Sequence, residues 1–202
     1  RAGGPNRFGG TNGAVLHFER ERRRRRIDGL AGLETLVGIP GSVGGALHTN
    51  AGTLSGDIGQ TTASATVMTT QGEIITRRKS ELRFGYRNSS LDELVILEAT
   101  LELEPGDPRY LTKQMQQAWI LKRVEQPLSD QRMGQIFKSP GGISAADLIK
   151  DARLNDAKVG EAHVSERNAN FIIAGPKATS RDVLGLIETI RAGVAERTGT
   201  DL

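Results

Sequence analysis

The sequence predicts an α+β chain, strand-rich in its first half and helix-rich in its second. Three observations carry that reading. Short apolar or alternating runs separated by glycine turns fill the chain up to residue 105, amphipathic periods of helical length follow, and serine or threonine caps stand ahead of the last two of them. The 202 residues (21.7 kDa) are 37% hydrophobic, enough to bury a substantial core. No apolar run nears the roughly 18 residues of a membrane-spanning helix. Cysteine is absent. That excludes a disulfide framework, thiolate catalysis and sulfur-ligated zinc, and it suits a reducing cytoplasm. The basic-then-apolar pattern of a signal peptide is also missing at the start.

Residues 13–18 (Gly-Ala-Val-Leu-His-Phe) read as a short strand, followed by an arginine run and then by glycine-rich chain from Gly29 to Gly59. Residues 62–69 and 73–76 flank Thr70-Gln71-Gly72, a hairpin signal with glycine at the turn. Residues 94–103 begin as a continuous apolar run and end in alternation, as a buried strand emerging toward an edge does; Pro105 and Pro108 close it. From 109 to 125, Leu111, Met115, Ala118, Trp119 and the stem of Lys122 recur at helical spacing, which places Trp119 in a core. After a loop with Gly134, Pro140, Gly141 and Gly142, Ser144 and Asp147 resemble a capping box opening a helix through Ala152. Residues 169–174 read as a strand. Thr179 and Asp182 repeat the cap, ahead of a helix with Val183, Leu184, Ile187, Ile190 and Val194 on one face.

The formal charge of +3 is local in origin. Arg20 and Arg22 to Arg26, with Glu19 and Glu21, sum to +4, leaving −1 for everything else. A phosphate-tracking protein spreads its Lys and Arg over a folded face and adds aromatics for single strands. Here aromatics are 4% and none falls between Phe18 and Phe84, so the run reads as a solvated segment and argues against a nucleic-acid partner. His17, His48 and His163 lack metal-ligand spacing, and no metal is expected. For His48, beside the glycines, a hydrogen-bonded structural role is expected.

Glycine is the chemically informative residue: 25 of 202, about 12% against an ordinary ~7%. Gly38-Ile39-Pro40-Gly41-Ser42-Val43-Gly44-Gly45 runs on into Asn50-Ala51-Gly52, Gly56 and Gly59. Such chain can approach a ligand closely and offer N–H groups to anionic oxygens, or it can simply make tight turns. Neither a Walker lysine nor a strand-then-helix GxGxxG fingerprint is present.

In order, Gly29-Leu-Ala-Gly-Leu-Glu34, Gly38 to Gly45, Asn50-Ala-Gly52, Phe84-Gly-Tyr-Arg-Asn-Ser89, Gln126-Pro-Leu128, Ile136-Phe-Lys-Ser-Pro140 and Val164-Ser-Glu-Arg-Asn-Ala-Asn-Phe171 closely resemble the UDP-N-acetylenolpyruvoylglucosamine reductases, also called UDP-N-acetylmuramate dehydrogenases. The resemblance runs from residue 29 to residue 202. It implies a cytoplasmic flavoenzyme of peptidoglycan precursor synthesis, in which NADPH reduces FAD and the flavin reduces UDP-N-acetylglucosamine enolpyruvate to UDP-N-acetylmuramate. It further implies an FAD-binding β-domain over 1–107 and an α+β substrate-binding domain over 108–202.

Carried over by position, Gly38, Ile39, Pro40, Gly41, Ser42, Gly44, Gly45, Asn50, Gly52 and Gly56 would line the FAD site, largely through backbone N–H groups. Arg87 would be the active-site arginine and Tyr86, Lys138, Ser139 and Asn168 would bind substrate; the alternative for Arg87 is a strand-end salt bridge to Glu81 or Glu98. The chain departs from the pattern at the proton donor. The family has serine or cysteine two residues before its Phe-Lys pair, and here Gln135 stands there, a neutral amide that cannot donate a proton usefully near pH 7. The resemblance also implies a glutamate following the last helix, and a longer N-terminal segment ahead of the glycines. The competing expectation is a family member that has lost catalysis and acts as a binding or assembly module.

Overall fold

Strand order is set by where the apolar alternation can be buried on one face of a sheet. The computed structural model describes residues 13–16, 29–39, 41–53, 55–93, 95–127 and 132–202, in two units, Arg1–Trp119 and Ile120–Leu202. The arginine run, His17 and Pro40 lie outside the described residues.

In chain order the first unit carries β1 (Gly13–Leu16), β2 (Leu30–Ala31), α1 (Val43–His48), β3 (Gly52–Thr53), β4 (Gly56–Asp57), α2 (Ile58–Thr61), β5 (Thr62–Met68), β6 (Ile74–Arg78), β7 (Phe84–Gly85), β8 (Asn88–Ser89), β9 (Val95–Glu102) and β10 (Glu104–Pro105). Helix α3 (Pro108–Glu125) contains the division between units. The second unit continues with β11 (Met133–Gln135), α4 (Ala145–Asp151), β12 (Lys158–Val159), β13 (Ala162–Val164), β14 (Phe171–Ala174) and α5 (Ser180–Thr198). The mixture of antiparallel sheets and helices is the α+β class.

The first unit's main sheet has the order β1-β9-β5-β6, antiparallel throughout. The β5–β6 hairpin turns at Gly72, whose φ of +82° is open to glycine at no steric cost. Alternate residues Ala65, Val67, Ala99 and Leu101 leave the sheet on one side to meet Leu47 of α1, Ile58 of α2 and Leu91 in a single core. Strand β9 departs from expectation in two ways. It is central in the sheet, and its apolar beginning is the exposed end: Val95 is 38% and Leu97 46% exposed, whereas Ala99 and Leu101 are buried. The reason is a register shift in the pairing with β5, from Thr66–Glu98 to Val67–Ile96, which turns Ile96 rather than Leu97 toward the core.

Helix α3 spans the expected residues with a narrower buried stripe. Leu111 and Lys122 are buried, with half-buried Ala118 between them, all within about 40° around the axis at 100° per residue. Trp119 and Met115 fall on the flank of that stripe and are about two-fifths exposed, which corrects the placement of Trp119 in a core.

The second unit is a sheet of order β11-β14-β13-β12, again antiparallel, covered by α4 and α5. Its core joins Leu148 and Ile149 of α4, Ala162, Val164 and Ile172 of the sheet, and Leu186, Ile190 and Val194 of α5. Leu184 is 62% exposed, because six residues at 100° each place it about 120° around the helix from Ile190; Leu186 takes the buried place expected for it. Strands β12 and β13, two and three residues long, carry too little periodicity to be legible in advance.

Both expected caps form. Ser144 Oγ accepts the Asp147 N–H (3.3 Å) at the start of α4. At α5, Thr179 Oγ1 accepts the Asp182 N–H (3.2 Å) and the Asp182 carboxylate accepts the Thr179 N–H (2.8 Å). The Thr179 N–H, then its hydroxyl, hold the Asp182 carboxyl below the usual carboxylate range. A depressed folded-state pKa adds stability that is present above the ordinary carboxylate pKa and lost as pH falls through the folded value. Asp182→Asn should therefore melt below the wild type at pH 7, with the gap closing as the pH falls through the lowered folded-state value and the wild-type carboxylate protonates. A gap independent of pH between these limits would show that the charge plays no part.

Candidate functional site

The glycine segment folds into a turn, a short helix and a second turn. Gly38 takes φ +76° and Gly41 φ +140°, conformations that L side chains rarely adopt. The chain then enters α1 through Ser42, whose Oγ accepts the Gly45 N–H (3.1 Å). At the start of α1 the Val43 and Gly44 N–H groups have no partner within the helix. Gly44 faces β9, where a Cβ would sit 3.7 Å from Ile96. Leu36, Ile39, Gly41, Ser42, Val43, Gly45, Ala46, Thr49, Ala51 and Ile58 line a cleft of about 420 Å³ that is mostly apolar. Four of the expected cofactor-site residues, Ile39, Gly41, Ser42 and Gly45, are in that lining.

The remaining expected glycines shape the chain behind the cleft. Gly52, in β3, pairs with Asp57 so closely that a Cβ would lie 2.4 Å from the Gly56 carbonyl oxygen. Gly56 is buried with φ +155°. Asn50 leaves α1 in a left-handed conformation (φ +47°) and is 4% exposed. Its Oδ1 accepts the Gly59 N–H (3.1 Å) and its Nδ2 donates to the Gly85 carbonyl (2.9 Å). Its side chain is therefore engaged inside the protein.

Those bonds seat the Phe84-Gly-Tyr-Arg-Asn-Ser motif against the glycine segment. Phe84 lies directly on Gly59, where a Cβ would be 2.4 Å from its ring. Strands β7 and β8 pair Phe84 with Ser89 and Gly85 with Asn88, so Tyr86 and Arg87 form a two-residue turn, Arg87 at φ +53°. The far strand is tied to α1: Ser89 Oγ donates to the His48 carbonyl (2.9 Å), and His48 Nδ1 donates to the Leu91 carbonyl (2.7 Å). His48 thus has the structural role expected of it. At the turn, Tyr86 is 59% exposed, and the Arg87 guanidinium lies 6.0 Å from the Tyr86 ring centre. Among the described residues Arg87 has no ion pair, so neither Glu81 nor Glu98 holds it.

The second unit presents a separate set. Gln135 ends β11 opposite Phe171; it is exposed, and its amide makes no hydrogen bond among the described residues. Beyond it, buried Asn170 (3% exposed) grips the Phe137 peptide at both ends, accepting the Phe137 N–H (2.8 Å) and donating to the Phe137 carbonyl (2.8 Å). Its own carbonyl accepts the Ile136 N–H (3.0 Å) and its N–H donates to Asn168 Oδ1 (3.0 Å). Lys138 follows, exposed and without an ion pair among the described residues. Ser139 Oγ accepts the Ala145 N–H (3.2 Å). The sequence reading passed over Asn170, although a buried amide beside Phe171-Ile-Ile must find partners, and that requirement was its signal. Among the described residues no three His, Asp or Glu side chains cluster as metal ligands, and no helix is long and apolar enough to cross a membrane.

Comparison with known proteins adds four findings. A family model for the UDP-N-acetylenolpyruvoylglucosamine reductase C-terminal domain matches residues 126–202. The reductase of Levilactobacillus brevis is 42% identical over 175 residues, 86% of this chain and 58% of that protein. The reductase of Exiguobacterium sibiricum is 36% identical over 216 residues, 96% of this chain and 71% of that protein. The crystal structure of the Thermus caldophilus reductase superposes with a TM-score of 0.71 at 32% identity, covering 81% of this chain and 61% of that one. The chain therefore spans between about half and three quarters of the length of such relatives.

The contact between Phe84 and Gly59 gives a direct check on the seating of the Arg87 turn. Alanine is the better helix former, so Gly59→Ala in α2 would stabilise by up to about 1 kcal/mol if propensity ruled. The 2.4 Å approach predicts the opposite sign, a loss of about 1–3 kcal/mol in urea unfolding. Gly85→Ala, whose Cβ meets nothing within 4 Å, should stay within about 0.5 kcal/mol of wild type. Equal effects from the two substitutions would mean that Phe84 does not seat the turn.

Proposed function

The chain belongs to the UDP-N-acetylenolpyruvoylglucosamine reductase family, and from that membership we propose that it reduces UDP-N-acetylglucosamine enolpyruvate to UDP-N-acetylmuramate, using FAD and NADPH, in cytoplasmic peptidoglycan precursor synthesis. The residues of the first unit fit FAD. Phosphate oxygens need N–H donors on chain that can come close, and the Gly38–Gly45 segment offers the Val43 and Gly44 N–H groups beside glycines at 41 and 45. Leu36, Ile39, Val43, Ala46, Ala51 and Ile58 give the 420 Å³ cleft apolar walls. Asn50, Gly52 and Gly56 support this segment from behind. FAD held there would supply the hydride chemistry, from NADPH to the β-carbon of the enolpyruvyl double bond.

The observation that carries the reading is the Arg87 guanidinium, held on a seated turn and free of any ion pair among the described residues. Its planar fork can bracket the substrate carboxylate with two parallel hydrogen bonds. It can then stabilise the negative charge that spreads onto that carboxylate as the β-carbon gains hydride. Tyr86 flanks it. In the second unit, Lys138 supplies a cation for the nucleotide sugar, and Ser139 and Asn168 supply polar groups. Gln135, at the donor position, has no acidic proton; its free amide can hold a water that protonates the α-carbon.

On this reading the two half-reactions differ in their need for Gln135. The purified protein should be yellow and should bleach on anaerobic addition of NADPH. Gln135→Ser should speed the enolpyruvyl step by up to ~10²–10⁴, the contribution of a positioned acid, and leave flavin bleaching within a few-fold in stopped flow. A colourless protein that FAD does not reconstitute would overturn the reading, and equal changes in both steps would remove Gln135 from the proton path.

A further inference from the structure

We infer that Asn50 is the positioning residue for Arg87: its buried amide locks the ligand-facing glycine segment and the arginine-bearing turn into one unit. As a statement about catalysis this rests on the reductase reading. As a statement about structure it rests on the two hydrogen bonds alone. Asn50 stands two residues past the end of α1, and Gly85 is the last residue before the Tyr86-Arg87 turn; 2.9 Å separates Asn50 Nδ2 from the Gly85 carbonyl oxygen. The other end of the amide receives the Gly59 N–H. The partners settle which end is oxygen, since a backbone N–H requires an acceptor and a carbonyl requires a donor.

Phe84 packs on Gly59 one residue away, but a Cβ on Gly85 would find nothing within 4 Å, so at Gly85 itself the tie to the glycine segment is the Asn50 hydrogen bond. The other strand of the hairpin has its own ties, through Ser89 to His48 and through the Ser90 N–H to the Arg83 carbonyl (2.8 Å). Loss of the Asn50 bond therefore loosens the turn on the Gly85 side without detaching the hairpin. Two of the three non-glycine residues with positive φ among the described residues, Asn50 and Arg87, stand at the two ends of this connection. Such conformations persist where surrounding bonds over-determine them.

Aspartate at position 50 separates the two functions of the amide. It tolerates the left-handed backbone as asparagine does, and it still accepts the Gly59 N–H. Toward Gly85 it sets oxygen against oxygen. Asn50→Asp keeps the Gly59 bond on the glycine side, and turnover is expressed per bound flavin so that any change in flavin content is separated from the effect on Arg87. Amide hydrogen exchange over residues 84–89 should quicken roughly tenfold, the scale of one lost hydrogen bond, with 62–68 and 95–102 unaltered.

Turnover closes the test. Asn50→Asp should lower kcat/KM by up to about 100-fold, the effect of misplacing a reacting group by about 1 Å. The double variant with Arg87→Lys should be no more than a few-fold worse than Arg87→Lys alone, because both changes remove the same interaction. Unchanged exchange over 84–89, or losses that simply multiply, would overturn the proposal. If Asn50→Asp does not fold, Asn50→Gly accepts the same φ, removes both bonds and should loosen 84–89 likewise. If the wild type shows no turnover, the reductase reading fails, and the exchange experiment alone decides whether Asn50 holds the turn.

Discussion

A buried side-chain amide must satisfy both its ends, and Asn50 does so by reaching from the end of α1 to the Gly59 N–H and the Gly85 carbonyl. Much of what the first unit presents to a ligand depends on that requirement. The glycines of the cleft can approach a bound group only if the chain behind them is fixed, and α2 and the β7–β8 hairpin are fixed through this amide, through Phe84 on Gly59 and through His48. An orphaned end would cost about 1–3 kcal/mol, so the connection is a constraint on the fold as much as a support for Arg87.

The second unit repeats the device with a different asparagine. Asn170 completes both hydrogen bonds of the Phe137 peptide and so extends the edge of β14 past the end of β11, like an added ladder rung. Gln135 on one side and Lys138 on the other take their places from that clamp. In both units an exposed, functionally suited side chain stands on a short irregular segment, and a buried amide supplies the order that regular secondary structure does not. Loops bear chemistry well only when they are held in this way.

Periodicity was legible where elements were long. The β5–β6 hairpin, α3, α4 and α5 stand where alternation, capping residues and Gly72 place them, because those signals are local. What was not legible was tertiary. Nothing in residues 94–103 tells that the pairing with β5 shifts register and turns Ile96 inward, and nothing in the spacing of α3 tells which flank of its apolar face is left open at Trp119. At the site, motif order pointed to the residue types and the glycine segment, while the division of labour within it needed coordinates. Asn50 sits in sequence among the glycines expected to line a cofactor site, yet its side chain turns to the Arg87 turn. Asn170 looked like the start of a strand and is a clamp.

The central claim is that the seated guanidinium of Arg87, without an ion pair among the described residues, receives the carboxylate of an enolpyruvyl UDP-sugar. Thermal unfolding with UDP-N-acetylglucosamine enolpyruvate, present at about 100 times its dissociation constant for the wild type, tests it most directly and needs no turnover. The account predicts that the wild type is stabilised by about 2.7 kcal/mol and that Arg87→Ala is protected much less at the same concentration. Equal protection of the two proteins, or of neither, would contradict it.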